Sequence, residues 1–271
     1  MTMSKSMQVT ERKEKPTIVI KLGGSMVEQL SDSFYQSFTK LLDHYKCLIV
    51  HGGGPAITSL MDRLQIEGEF YNGLRKTTKE ALEVVEMTLG GKVNAQITSR
   101  LAEQQVKAIG LKGSDASMIT ATYIDQPNLG FVGEVHEVDT GLLQTVLADG
   151  YIPVIAPLGK TADGQTVNIN ADSAAAAVAK AVEAKKLLFV TDVPGILYND
   201  EVLEETTPGE IDSFIERGHI YGGMIPKVQS AVSVLSDHLQ EVMIVSGAQP
   251  LIQGEQMNGT AIRAKRKEGV E

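Results

Sequence analysis

Within its first 65 residues the chain writes one pattern twice: a short apolar strand, a glycine turn, a helix. Thr17-Ile18-Val19-Ile20-Lys21-Leu22 is a β-branched run that ends in Gly23-Gly24-Ser25. Phe34, Phe38, Leu41, Leu42 and Tyr45 then recur mostly at three- and four-residue intervals, which predicts an amphipathic helix over 31–45. Leu48-Ile49-Val50 repeats the strand, His51-Gly52-Gly53-Gly54-Pro55 repeats the turn, and a second helix follows over 56–65. Near-continuous apolar strands that alternate with helices pack as a parallel sheet with helices on its faces. An α/β fold with a central, mainly parallel sheet is therefore the expectation.

The remaining chain extends this alternation. A helix is predicted over 76–109, with Thr78 as its N-cap and Gly90-Gly91 as an interruption. Met118 to Ile124 and Gly130-Phe131-Val132-Gly133-Glu134-Val135 read as strands of a hairpin over one edge. A short helix over 140–149 precedes the strand Ile152-Pro153-Val154-Ile155-Ala156, and Asp163-Gly164 signals a tight turn. The alanine-rich stretch 171–184 is a helix and 187–190 a strand. Helices over 211–217 and 227–240 lead to 242–245, read as the last strand. Residues 1–15 read as a flexible tail, and a boundary near residue 170 divides the rest into lobes 16–170 and 171–271.

Composition removes several classes of function. With 25 Lys plus Arg against 34 Asp plus Glu, the net charge is -9, which disfavours nucleic acid as a partner. No apolar run reaches the length of a membrane span, and the polar N-terminus lacks the apolar core of a secretory signal. A cytoplasmic protein is expected. The single cysteine, Cys47, excludes an internal disulfide and a multi-cysteine zinc site, and it reads as a core residue. The five histidines lack metal-ligand spacing.

Familiar nucleotide motifs fail. Gly159-Lys160-Thr161 resembles the end of a phosphate loop, but Val154 stands where its first glycine belongs. Two glycine turns at the carboxyl ends of strands remain, where ligands of open parallel sheets bind and backbone N–H groups can approach an anion. Lys21, just before the first turn, suits the charge neutralisation that phosphoryl transfer requires, or it is an ordinary snorkelling lysine. The fork of Arg75 suits a carboxylate, or a surface ion pair. Asp172 is a helix-start carboxylate in Asn168-Ile169-Asn170-Ala171-Asp172, serving as a capping charge or as the partner of a catalytic lysine. Lys227 follows Gly222-Gly223 at another helix start.

In this order, Lys21-Leu22-Gly23-Gly24-Ser25, His51-Gly52-Gly53-Gly54-Pro55, Asn72-Gly73-Leu74-Arg75, Gly130-Phe131-Val132-Gly133, Asn168-Ile169-Asn170-Ala171-Asp172, Thr191-Asp192-Val193-Pro194-Gly195 and Gly223-Met224-Ile225-Pro226-Lys227 resemble the motifs of the amino acid kinase family. The resemblance runs from Thr17 to Ile262. It implies a three-layer αβα sandwich of the carbamate kinase-like type, with the acyl amino acid in lobe 16–170 and ATP in lobe 171–271. Within the family, it points to transfer of phosphate from ATP to the side-chain carboxylate of N-acetyl-L-glutamate. It further implies Lys21 and Lys227 as catalytic cations with Asp172 orienting both. Gly23, Gly24 and Gly53 would bind phosphate, while Gly53, Gly54, Arg75 and Asn168 would hold the acyl amino acid. Asp192, Val193, Pro194, Gly195, Ile196 and Leu197, with His219, Ile220 and Tyr221, would line the nucleotide site. Mg2+ would travel on the ATP phosphates, with no protein metal ligand.

A kinase for an acylated or carrier-bound α-aminoadipate and a catalytically silent regulator stay open as alternatives. Other relatives, acting on glutamate, carbamate, aspartate or uridylate, fit the Asn72–Arg75 and Gly130–Gly133 motifs less well. Arginine-inhibited members of the family carry an extra N-terminal helix that interlaces dimers. Residues 1–15 present no apolar helical face, so a homodimer built on the N-terminal lobe and indifferent to arginine is expected.

Overall fold

A computed structural model describes residues 15–199 and 201–264. The tail expected over residues 1–15, with the regulatory expectation drawn from it, lies outside the described residues apart from Lys15. The first strand, β1 (Thr17–Leu22), pairs in parallel with β2 (Lys46–His51) on one side and with Lys186–Thr191 on the other. Eight strands form one sheet in the order Glu205–Thr206, Thr260–Arg263, Glu241–Ser246, Lys186–Thr191, β1, β2, Ile152–Ala156, Ala108–Lys112. Thr260–Arg263 pairs antiparallel with Glu241–Ser246 and in parallel with Glu205–Thr206, so these two strands run opposite to the other six. The mainly parallel sheet is as expected, but 242–245 is not the last strand: Thr260–Arg263 follows it.

Side chains alternate across the sheet with period two. Val19, Leu48 and Val50 face one core with the helix Ala171–Ala181, whereas Ile18, Ile20, Leu22, Cys47 and Ile49 face another with the helices Asp32–His44 and Asn94–Glu103. Helices thus cover both faces, giving three layers. Burial pushes the Cys47 thiol far above its ordinary value, consistent with its reading as a core residue. Among the described residues, no helix is long and apolar enough to cross a membrane.

Three further expectations need correction. The helix 76–109 is α over Lys79–Glu86, π over Met87–Val93 and α over Asn94–Glu103, and the edge strand Ala108–Lys112 follows. Thr78 is its N-cap, accepting from the Ala81 N–H, while Gly90-Gly91 lies inside the π-helical segment. The hairpin of Ile119–Tyr123 with Val132–Val138 exists, but Leu158–Lys160 and Thr166–Ile169 close it into a small barrel. The helix 227–240 spans Met224–Ser233 instead.

Candidate active site

The alternation that buries Val19 also sends Lys21 toward the helix Ala171–Ala181. That helix starts at a fixed point because the Asn170 side chain accepts from the N–H groups of Asp172 and Ser173 (2.8 and 3.2 Å). Asp172 therefore sits in the first turn, where a carboxylate is favoured by the helix dipole. Its Oδ1 lies 2.7 Å from Lys21 Nζ.

The two glycine turns meet above β1 and β2. A Cβ on Gly24 would lie 2.6 Å from Gly53 N and 2.7 Å from Gly54 N, so only glycine permits this approach. Neither Gly53 nor Gly54 donates its N–H to a protein acceptor among the described residues. Both groups stand at the N-terminus of the helix Gly54–Arg63, which adds favourable partial charge for an anion.

Arg75 reaches the same place from a hairpin. Asn72 and Gly73 both have positive φ (50° and 79°), as a two-residue turn of this hand requires, and they join Phe70–Tyr71 to Leu74–Arg75. The guanidinium stacks 4.6 Å over the Phe70 ring and donates to Thr58 Oγ1 (2.6 Å) and to the Gly54 carbonyl (3.3 Å). Arg75 is 8% exposed. Burial pulls its pKa below the ordinary guanidinium value, and no carboxylate forms an ion pair with it among the described residues. Asn168 Nδ2 donates to Thr77 Oγ1 (3.3 Å), which donates to the Arg75 carbonyl (2.9 Å). The Gly130–Gly133 motif braces this strand: Thr77 N–H donates to the Leu129 carbonyl and Phe131 N–H to that of Thr77.

One cavity of about 410 Å³ is lined by Lys21, Gly23, Gly24, Gly53, Gly54, Arg75, Asn168 and Asp172 together. Phe70, Leu89, Val132 and Asn170 also line it, and the sequence reading gave none of them a role. Phe70 was within reach, because Asn72-Gly73 is a hairpin signal that places the preceding residues opposite Arg75.

Lys227 is placed elsewhere. It is ion-paired with Asp192, which holds the Asp192 carboxyl below the usual range, while Asp172 pairs with Lys21 alone among the described residues. Asp172 nevertheless also borders a neighbouring cavity of about 340 Å³, lined in part by Ser230 and Ser233 of the helix that carries Lys227. The segments expected at a nucleotide converge on this side. Ile196 and Ile220 share one core, His219 packs edge-on against Tyr198 at 4.9 Å, and Tyr221 is exposed. Lys160 belongs to a barrel hairpin, donating to the Gly164 carbonyl and to Thr166 Oγ1, in keeping with the failed phosphate-loop motif.

A parallel sheet between helical layers, with a lysine–carboxylate pair and unpaired backbone donors above its central strands, defines an α/β phosphoryl-transfer protein. Residues 16–246 match the amino acid kinase family, and the chain belongs to it. An acetylglutamate kinase of Geobacillus sp. (strain WCH70) is 50% identical over 248 residues, covering 91% of this chain and 96% of the relative. The solved structure of smu.665 from Streptococcus mutans UA159 superposes with a TM-score of 0.77 at 34% identity, covering 92% of this chain and 99% of that one. Carbamate kinase from Giardia lamblia bound to AMP-PNP shares the fold, with a TM-score of 0.66 at 16% identity over 93% of this chain and 99% of that one.

Proposed function

We propose that the chain transfers the γ-phosphoryl group of MgATP to the side-chain carboxylate of N-acetyl-L-glutamate, giving N-acetyl-L-glutamyl 5-phosphate and ADP, a step of arginine biosynthesis. The observation that carries this reading is the single cavity holding an unpaired Arg75 at one side and the Lys21–Asp172 pair at another, with glycine N–H donors between. About 50% identity to acetylglutamate kinases over most of the chain supports it.

Arg75, with Asn168, Gly53 and Gly54, holds the amino acid, and the guanidinium takes its α-carboxylate. The reacting carboxylate has a reference pKa of about 4.3, so it is ionised at neutral pH and needs no general base. Its oxygen attacks the γ-phosphorus while the bond to ADP breaks. The obstacle is repulsion between anions. Lys21, Lys227 and the N–H groups of Gly24 and Gly53 reduce it by positioning and neutralising charge, and Asp172 orients Lys21. Gly23 shapes the first turn. The ATP lies toward 192–197 and 219–221 and carries Mg2+ on its phosphates. Free glutamate would bring an ammonium beside a guanidinium already without an anion partner, so acylation favours binding by removing that charge.

The exposed edge strand Ala108–Lys112, with Ile109 at the surface, is the surface on which a homodimer of this cytoplasmic enzyme would form. Light scattering at two subunits, reduced to one by Ile109→Lys, is the expected outcome.

The activity test is ADP release by the purified protein with MgATP. Turnover with N-acetylglutamate far above that with free glutamate is expected. Equal turnover of both, or a preference for the substrate one methylene longer, would reject the assignment.

A further inference from the structure

His51 ends β2 and is fully buried, and it is the only buried histidine of the five. The alternation along β2 sends its ring, like Cys47 and Ile49, toward the layer that contains the helix Asn94–Glu103. There Nε2 lies 3.2 Å from Asn94 Nδ2, and Nδ1 lies 3.0 Å from the carbonyl oxygen of Gly52.

The surroundings dictate which atom donates. Asn94 Nδ2 also lies 2.8 Å from the Val154 carbonyl and 3.4 Å from that of Leu111. Turning the amide over would set its oxygen against two carbonyl oxygens, so the NH₂ group faces them. An NH₂ group has protons only to give, and His51 Nε2 must therefore accept. The proton of the neutral ring is left on Nδ1, which donates to the Gly52 carbonyl. Asn94 is itself keyed into the sheet, because a Cβ on Gly110 would lie 1.9 Å from its Oδ1.

In a trans peptide the C=O and the next N–H point in opposite directions. Fixing the Gly52 carbonyl toward His51 therefore aims the Gly53 N–H away from it, onto the Gly24 side and the cavity. Leu89, from the π-helical segment, closes the other side of the loop: a Cβ on Gly53 would lie 2.4 Å from its Cδ2.

We propose that His51 and Asn94 are positioning residues for phosphoryl transfer, a tautomer-locked pair that orients the Gly52–Gly53 peptide so that the Gly53 N–H meets the transferring phosphate. This rests on the kinase reading above. Neither side chain touches substrate; each acts through the backbone of the glycine turn. A misplacement of about 1 Å at such a donor can cost on the order of 10²-fold in rate.

Two amides separate positioning from packing. In His51→Asn the side-chain NH₂ replaces Nδ1 and keeps the Gly52 contact. In His51→Gln the amide replaces Nε2, keeps Asn94 and leaves the Gly52 carbonyl without its donor. We expect kcat of His51→Gln to fall by at least about tenfold more than that of His51→Asn, with KM for ATP changed by less than about threefold in either. Equal losses in the two folded variants would overturn the proposal.

Nitrogen-15 NMR of histidine-labelled wild-type protein tests the lock without any substitution. At pH 7 the assigned His51 ring should be the Nδ1–H tautomer, and an Nε2–H tautomer would overturn the proposal. A wild-type protein inactive on N-acetylglutamate would instead count against the activity reading, and the tautomer measurement would still stand on its own.

Discussion

Lys227 is held by Asp192, whereas Lys21 is held by Asp172. The two proposed catalytic cations thus have separate carboxylate partners. For Lys227 to meet a transferring phosphoryl group, it must exchange Asp192 for the nucleotide. Both lysines then act most strongly when charge is spread over the transferring group.

Replacing either lysine by alanine should lower kcat by about 10²-fold or more while changing either KM by only a fewfold, because the lost interaction belongs to the transition state. Steady-state kinetics with both substrates varied measures this split. A near-normal kcat for Lys21→Ala would remove that lysine from the mechanism.

Arg75 should show the reverse split. Its contact with a substrate carboxylate exists before and during transfer, so its loss is a loss of uniform binding. A hydrogen bond to a charged group contributes about 1.5–3 kcal/mol, which predicts a rise of roughly ten- to hundredfold in KM for the acyl amino acid in Arg75→Ala, with kcat nearly preserved. Arg75→Lys should recover little, since an ammonium can neither fork between Thr58 and a carboxylate nor stack on Phe70 as a guanidinium does.

Gly24→Ala introduces a methyl group where backbone nitrogens of Gly53 and Gly54 already stand at 2.6 and 2.7 Å. The turns must separate, and the donors lose their common focus. Activity should fall by at least about 10²-fold. Circular dichroism should still report the native secondary structure, because the change lies at a loop outside the sheet. Full activity in this variant would mean that the two turns do not act together.

The elements that carry Lys21 and Asp172 were legible because their signals are local. A near-continuous apolar run ending in a glycine turn places Lys21 at the end of an interior strand, and a polar residue before an alanine-rich stretch sets the helix start that holds Asp172. Other parts lack such signals. The segment Ala108–Lys112 is a short edge strand with no buried residue, so it shows no period that would separate it from the end of a helix. The barrel closes through the three-residue strand Leu158–Lys160, whose partners are set by packing over the sheet. The Lys227–Asp192 pair has no local signal either, because a motif orders residues along the chain without saying which carboxylate a lysine meets. The His51–Asn94 contact spans 43 residues and is visible only once the strands carrying Val154 and Leu111 are in place.

The buried histidine also makes stability depend on pH. Burial pushes the pKa of His51 down to about 4, against an ordinary value of about 6.5. Between these values the unfolded chain binds a proton that the native protein does not, so stability falls as the pH drops through this window. Above pH 6.5 neither state is protonated at this residue and no penalty applies. By pH 4 the gap amounts to roughly 3 kcal/mol. Carboxylates titrate over part of the same range, but they do so in wild-type and His51→Asn proteins alike. Urea unfolding at pH 7 and pH 4 should therefore show the wild-type protein losing roughly 3 kcal/mol more than His51→Asn. Parallel losses in the two proteins would mean that the native ring takes up its proton as easily as the unfolded one, which a neutral, Nδ1-protonated ring between Asn94 and Gly52 does not allow.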